Sequence, residues 1–232
     1  MKHSIVISLF FLLTMFFIFN TEASQSRRAA SIEGEEETYP IFPLQLTANI
    51  TITAHQIEPE SEFPPRIRHM LVYYDYSQKR ARAEIASGYE AAKVYIRRYD
   101  LKNEYMVRLP PINDCKRSYL GEVMPFPDLP DARFIRRDKI NGRSVHYFLH
   151  EDYGSRIHIY LDAENNAPVK LVQESEENDD FIPMLTYDFT GVIIGPPANY
   201  LFDVPSPFTH KTCDRHVGGF PYLHIFHYFV RF

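Results

Sequence analysis

The residues of this chain best suited to chemistry are its ten histidines. His146, His150 and His158 fall on neighbouring predicted strands, where converging imidazoles could hold a metal ion or transfer protons. No helical His-Glu-x-x-His pattern accompanies them, and such scattered histidines rarely form a site. The sequence therefore predicts no metal site and no bound cofactor.

Acidic residues cluster at Asp128 with Asp131, at Glu151 with Asp152, and in "ESEENDD" at residues 174–180. The first cluster lies in a proline-rich loop, and the last is typical of a solvated charge run. A catalytic pair needs a perturbed environment, which spacing alone does not show. The chain also has no Gly-x-Ser-x-Gly motif and no phosphate-binding glycine loop. We therefore predict that the protein is not an enzyme.

The first residues of the chain have the pattern of a secretory signal peptide. An unbroken apolar block, "IVISLFFLLTMFFIF" at residues 5–19, follows Lys2, and small residues precede a cleavage point after Ala23. The block is short for a membrane span, so an uncleaved anchor is the weaker alternative. We predict a signal peptide at residues 1–23, a mobile acidic leader at residues 24–43, and a secreted mature chain with no transmembrane anchor.

Composition limits the classes of partner. The formal net charge of -5 disfavours nucleic acid, because phosphate binding needs a basic surface. The arginine pairs Arg97-Arg98 and Arg136-Arg137 are typical of solvated faces. The chain has 18 Phe and 16 Tyr but no Trp, which indicates an aromatic-rich interior.

The two cysteines, Cys115 and Cys213, both lie in the predicted mature chain. In an oxidising compartment an even pair indicates one disulfide, here closing a ring of about a hundred residues. One alternative is a free nucleophilic cysteine with a histidine partner. Another is a zinc site completed by His224 and His227, although that spacing is loose.

Residues 44–57 alternate between polar and apolar side chains, as in a strand with one wet face. Thr47, Asn49, Thr51 and Thr53 share the polar side. Asn49-Ile50-Thr51 is a glycosylation sequon on that side, so we predict a glycan at Asn49.

Further hairpins follow along the chain. In "LVYYDYSQKRARAEI", residues 71–85, a polar turn separates an aromatic strand from a strictly alternating one, with Arg80, Arg82 and Glu84 on the expected wet face. Asn141-Gly142 is the strongest hairpin signal in the chain. Helical turns are expected only at residues 127–132 and 87–92. The prediction is a mainly β protein, built on a strongly curved antiparallel sheet with few short helices.

The order of several motifs resembles the LolA-like domains of animal secreted proteins. These are "VYYDYSQKRARAEI", "PPINDC", "LPDARFI", "NGRSVHYFLHED", "IYLDAENNAPVKL" and "MLTYDFTGVIIGPPANYLFDVPSPF", followed by Cys213. The superfamily includes the ependymin-related proteins and the amino-terminal domain of certain papain-like protease fusions. The resemblance spans residues 44–213 and leaves residues 214–232 as an aromatic tail.

The resemblance implies a half-barrel whose concave side takes a lipid or another hydrophobic ligand. The candidate ligand-binding residues are Val72, Tyr74, Ile96, Val107, Val145, Tyr147, Ile159, Tyr187 and Phe189. Each of them is also a typical core residue, so the face could equally be filled by the protein's own side chains.

Three functional hypotheses remain at this point. The first is a secreted, non-enzymatic carrier of a hydrophobic small molecule such as a lipid or fatty acid. The second is an extracellular module that binds a protein or matrix partner through its surface or its aromatic tail. The third is an enzyme, or a regulator, similar to a pro-domain, of a separate papain-like protease.

Overall fold

A computed structural model describes residues 39–61, 66–87 and 91–220. The predicted signal peptide, the leader up to residue 38 and the aromatic tail from residue 221 lie outside these ranges. No helix within them is long and apolar enough to cross a membrane.

The described chain forms strands and two short 3-10 helices, at Tyr99–Leu101 and Asn199–Phe202. The strands are β1 (Gln45–Ala54), β2 (Ile67–Asp75), β3 (Arg80–Ile85), β4 (Lys93–Arg98), β5 (Asn103–Arg108), β6 (Asp114–Tyr119), β7 (Arg133–Ile140), β8 (Arg143–Asp152), β9 (Ser155–Asp162), β10 (Pro168–Glu177), β11 (Asp180–Ile194) and β12 (Asp214–Arg215). Tight turns join many of them, and at Asn141-Gly142 both residues have positive φ, as the prediction of a two-residue hairpin requires.

All the strands belong to one 12-stranded sheet in the order β12-β6-β5-β4-β3-β2-β1-β11-β10-β9-β8-β7. Every pairing is antiparallel except the short parallel contact between β12 and β6. Tyr95 of β4 and Phe148 of β8 lie far apart in this order but belong to one core cluster, so the sheet must bend. The predicted fold class, a mainly β protein with a strongly curved sheet, is confirmed.

One face of the sheet, here called the inner face, carries the main core. The strand registers place Phe148, Ile159, Leu171, Tyr187 and Ile52 side by side across β8, β9, β10, β11 and β1. All are buried, and they form one cluster with inward residues of β2 and β3. This ladder of apolar side chains makes the inner face a continuous hydrophobic surface.

A crossing segment, residues 120–132, covers part of the inner face. Strands β6 and β7 are consecutive in sequence but lie near opposite ends of the sheet, so the connection must pass across it. Met124, Leu129 and Ala132 of this segment are buried in the main core. Phe42 joins them, and its N–H donates to the Pro127 carbonyl at 3.1 Å. The inner face is therefore partly filled by the protein itself.

The opposite face, here called the outer face, is covered at β3–β6 by an exit segment, residues 195–213. Val204 and Phe208 of this segment pack against a second buried cluster that includes Val94 and Tyr105. The disulfide between Cys115 and Cys213, with 4.7 Å between the two Cα atoms, fixes the end of the segment to β6. The predicted disulfide is confirmed, and both cysteines are buried.

The helical turn expected at residues 127–132 does not form. Asp128 instead makes a β-bridge with Ile41, and only a turn follows, in which the Ala132 N–H donates to the Leu129 carbonyl. Pro125, Pro127 and Pro130 do not suit a helix, since proline lacks the N–H donor. At residues 87–92 the described positions hold a turn, with Ala92 at positive φ.

Candidate ligand-binding face

The candidate ligand-binding residues are all buried, but the strand registers divide them between the two faces. Val72, Tyr74, Ile159, Tyr187 and Phe189 lie on the inner face and belong to the main core. Ile96, Val107, Val145 and Tyr147 lie on the outer face. The structure thus brings together only the first group.

The division at β4 and β5 has a simple physical cause. Both strands are buried on both faces, because the main core lies on one side and the exit segment on the other. Ile96 pairs with Arg82, which pairs with Tyr73 on the outer face, and Val107 pairs with Val94 beneath the exit segment. A strand buried on both sides gives no alternation from which to assign its faces.

Tyr147 belongs to an aromatic stack on the outer face of β8 and β9. Its ring stacks on Tyr160 with 4.8 Å between centroids, and its hydroxyl lies 2.7 Å from Nδ1 of His158. The Arg136 guanidinium lies 5.1 Å from the ring centroid. Burial raises the pKa of Tyr147. These contacts hold the Tyr147 side chain on the outer surface of the sheet. Tyr147 therefore does not contribute to the inner face.

The three histidines on β8 and β9 do not converge. His146 packs edge-on against Phe134 on the inner face, with 5.8 Å between ring centroids, and His150 shares its side of β8. His158 lies on the outer face, with Nε2 3.0 Å from a Glu174 carboxylate oxygen. Among the described residues, no three His, Cys, Asp or Glu side chains are grouped to hold a metal ion.

A buried polar cluster interrupts the inner face at β4 and β5. The Arg97 guanidinium lies 2.8 Å from Glu122 and 3.5 Å from Glu104, and it donates to the Tyr99 hydroxyl. Glu104 also accepts the N–H of Phe220 at 3.0 Å. Burial raises the pKa of Glu104, although the Phe220 N–H and Arg97 oppose that shift.

The prediction of a solvated Arg97 is therefore wrong, since its exposed fraction is only 6%. Arg97 lies directly opposite Glu104 in the β4–β5 hairpin. This cross-strand pair of opposite charges is the signal from which the burial of Arg97 could have been recognised. The expected wet face of β3 is also wrong. Arg80 is buried against Asp75 at 2.8 Å, and Arg82 donates to the Leu201 carbonyl, because the exit segment covers this face.

Asn49, the predicted glycan acceptor, is exposed on the outer face of β1. A register shift in the β1–β11 pairing places Gly191 beside it, with φ of +58°. A Cβ at Gly191 would lie 3.1 Å from the Asn49 side-chain nitrogen, which is the atom that carries a glycan. Glycine at this bulge therefore leaves room at the sequon.

The site is thus an apolar surface with one polar cluster near its β4–β5 end. Tyr74 has its pKa raised by burial, and its hydroxyl lies 3.5 Å from the Pro125 carbonyl of the crossing segment. Phe148, Leu171 and Ile52 also belong to this surface but were absent from the sequence-based candidates. Their inward position follows from pairing with Ile159 or Tyr187, which makes them recognisable once the registers are known.

No protein-family model matches this chain, and no curated protein matches it. Solved structures do match. An uncharacterized conserved protein from Thermus thermophilus is 11% identical with a TM-score of 0.52, over 75% of this chain and 91% of that one. MucB in complex with MucA(peri) is 11% identical with a TM-score of 0.42, over 70% and 54%. A LolA superfamily protein from Nitrosomonas europaea is 12% identical with a TM-score of 0.33, over 71% and 92%. The first of these likenesses shows a shared fold.

Proposed function

We propose that this protein is a secreted, non-enzymatic carrier that binds a lipid or similar hydrophobic molecule at the inner face of its sheet. The observation that carries the proposal is the continuous apolar ladder across β8, β9, β10, β11 and β1. Ligand sites are typically concave and mostly apolar, with few placed polar groups. The LolA-like resemblance of the sequence supports the same reading.

Two further observations support this proposal. The Cys115–Cys213 disulfide is typical of oxidising compartments outside the cytosol. The ionisable groups of the polar cluster at β4 and β5 are paired with one another, Arg97 with Glu104 and Glu122, and such pairing favours a structural role over a catalytic one. Binding without turnover is the activity that suits this surface.

Native mass spectrometry of the protein secreted from eukaryotic cells tests the proposal first. We expect an excess mass that survives glycan removal and disappears after organic extraction. A mass explained by the chain, its glycan and one disulfide alone would argue against a resident ligand.

Single tryptophans then locate the bound molecule, because the chain contains no natural Trp. Phe189→Trp places the reporter on the inner face, and Tyr73→Trp is the matched aromatic replacement on the outer face. A brominated fatty acid should quench the first reporter strongly and the second weakly. Equal quenching, or none at position 189 while the variant remains folded, would contradict binding at the inner face.

A further inference from the structure

The chain passes from the outer face to the inner face directly after the disulfide. Cys213 belongs to the second buried cluster on the outer face, whereas Phe220, only a few residues later, belongs to the main core on the inner face. Between them, β12 pairs with β6 at the end of the strand order. The chain that leaves the exit segment therefore continues around this edge of the sheet.

Successive contacts lead this part of the chain from the edge toward the middle of the sheet. The Ser118 hydroxyl of β6 donates to the Gly218 carbonyl. The Phe220 N–H donates to the Glu104 carboxylate of β5 at 3.0 Å, and the Phe220 ring lies 6.4 Å from the Tyr95 ring of β4, measured between centroids. The chain thus moves along the strand order from β6 to β4 on the inner face.

Phe220 is held firmly at this point. Its exposed fraction is 6%, and its ring stacks on His216 with 5.0 Å between the ring centroids. It is also the last residue that the structure describes. The residues that follow therefore start from within the main core and not from the outer surface.

Residues 221–232, "PYLHIFHYFVRF", are here called the terminal segment. Eight of these twelve residues are Phe, Tyr, Leu, Ile or Val, and none is acidic. Burial stabilises such side chains by about 25 cal/mol for each Å² of apolar area removed from water. The inner face is the apolar surface nearest to the point where this segment begins.

The inner face offers a trough in the direction of this path. From Tyr95 the registers lead to Ala83, Val72 and Ala48 on β3, β2 and β1, which are all completely buried. Longer side chains border this row of short ones, namely Tyr74 and Leu46 on one side and Ile85, Met70 and Ile50 on the other.

The terminal segment is long enough to follow this trough. Neighbouring strands lie about 4.8 Å apart, so the distance from β4 to β1 is roughly 15 Å. Twelve extended residues span about 40 Å. The segment can therefore reach β1 and the strands beyond it.

We propose that the terminal segment docks along the inner face of its own chain, from β4 toward β1, and occupies surface that a hydrophobic ligand would otherwise take. Phe220 fixes the point of entry, and the aromatic side chains of the segment pack over the row of short residues. A ligand of the inner face must then displace the segment, and this regulatory step rests on the proposed carrier function. The docking itself does not depend on that function.

Tryptophan reporters in the full chain, produced in a eukaryotic secretory host, test the docking, since the chain has no natural Trp. Phe226→Trp and Phe229→Trp place reporters on opposite sides of an extended terminal segment. Tyr153→Trp, at a fully exposed turn position, is the reference. Acrylamide should quench at least one terminal reporter several-fold less than the reference. Equal quenching at all three positions, or shielding that dilution removes because a second copy supplies the segment, would overturn the docking.

A released variant then shows which face the segment covers. Phe226→Ser combined with Phe229→Ser removes two aromatic anchors and should release the segment. Release should increase acrylamide quenching of a Tyr95→Trp reporter on the inner face and leave a Tyr73→Trp reporter on the outer face unchanged. No increase at position 95 in a folded released variant would place the segment elsewhere and overturn the proposal.

Binding of a brominated fatty acid to chains that carry Phe189→Trp tests the competition. The released variant should bind about tenfold more tightly, as expected if the docked segment leaves about one molecule in ten open. Tyr153→Ser combined with Tyr200→Ser makes a similar change at two exposed positions and should bind as the parent chain does.

The docking and the carrier function can fail separately in these experiments. Shielded terminal reporters, with no quenching by the fatty acid in any variant, would contradict the carrier function and leave the docking intact. Equal affinity in the released and control variants, both folded, would overturn the competition while the carrier function remains.

Discussion

At the scale of single residues, this protein buries charge on both faces of its sheet and compensates it locally. On the outer face, Asp75 is completely buried and accepts hydrogen bonds from Arg80, Gln45 and the Gln78 N–H. On the inner face, Arg97 and Glu104 form the corresponding pair. Removing one partner of such a pair leaves an uncompensated charge, which costs about 3–5 kcal/mol.

Glu104 should make stability depend on pH in a direction opposite to that of a carboxylate whose pKa is lowered by an ion pair. Its folded-state pKa is raised, chiefly by burial, so above the ordinary glutamate value the folded protein binds more protons than the unfolded chain. The free energy of unfolding should therefore increase as pH falls from the raised pKa to the ordinary one. Glu104→Gln keeps an acceptor for Phe220 but lacks this contribution, so the difference between the two proteins measures it.

Unfolding of both proteins by guanidinium chloride, at pH values between about 4 and 7, gives the two free energies of unfolding to be compared. Other titrating groups are common to the two proteins and cancel in the difference. Glu164→Gln, an exposed position with the same change of charge, should follow the wild-type profile. Parallel profiles for wild type and Glu104→Gln would show that burial does not raise the pKa of Glu104 in the folded protein.

At the scale of elements, the exit segment forms a layer on the outer face of the sheet, as the crossing segment does on part of the inner face. Asn199 and Leu201 accept hydrogen bonds from Arg80 and Arg82, and the disulfide fixes the far end of the segment at Cys213. The segment thus converts the outer face of β3–β6 from a wet surface into a buried one.

The strands could be predicted from the sequence, because alternation and turn residues such as Asn141-Gly142 are local signals. The face of the sheet on which each β4 side chain lies could not be predicted from the sequence. Ile96 and Arg97 both lie in a strand that is covered on both sides, and the covering exit segment comes about a hundred residues later in the chain. Long-range packing of this kind leaves no trace in the local pattern.

Loss of the disulfide should release this layer before the rest of the sheet. Cys115 and Cys213 are 98 residues apart, so replacing both with alanine should lower the free energy of unfolding by about 4–5 kcal/mol in the chain-entropy model. Hydrogen exchange should accelerate at residues 199–213 while β9–β11 remain protected. Reduced wild type should behave similarly, and uniform acceleration across all strands would mean that the segment and the sheet form one cooperative unit.

At the scale of the whole molecule, one curved sheet separates two environments. The inner face is apolar and partly filled by the crossing segment, and the outer face carries the aromatic stack, the exit segment and the sequon. The curved sheet was predictable from the succession of hairpins. The crossing segment was not, because its path depends on β6 and β7 lying near opposite ends of the strand order.

This separation predicts that glycosylation and ligand binding are independent. Asn49→Gln should remove one glycan mass from the secreted protein, whereas Thr51→Ser keeps the sequon and should keep the glycan. Because Asn49 lies on the outer face and Phe189 on the inner one, quenching of the Phe189→Trp reporter should be the same in both backgrounds. An unchanged mass for Asn49→Gln would contradict the glycan. Loss of quenching in a folded Asn49→Gln variant would show that the two faces are coupled through β1.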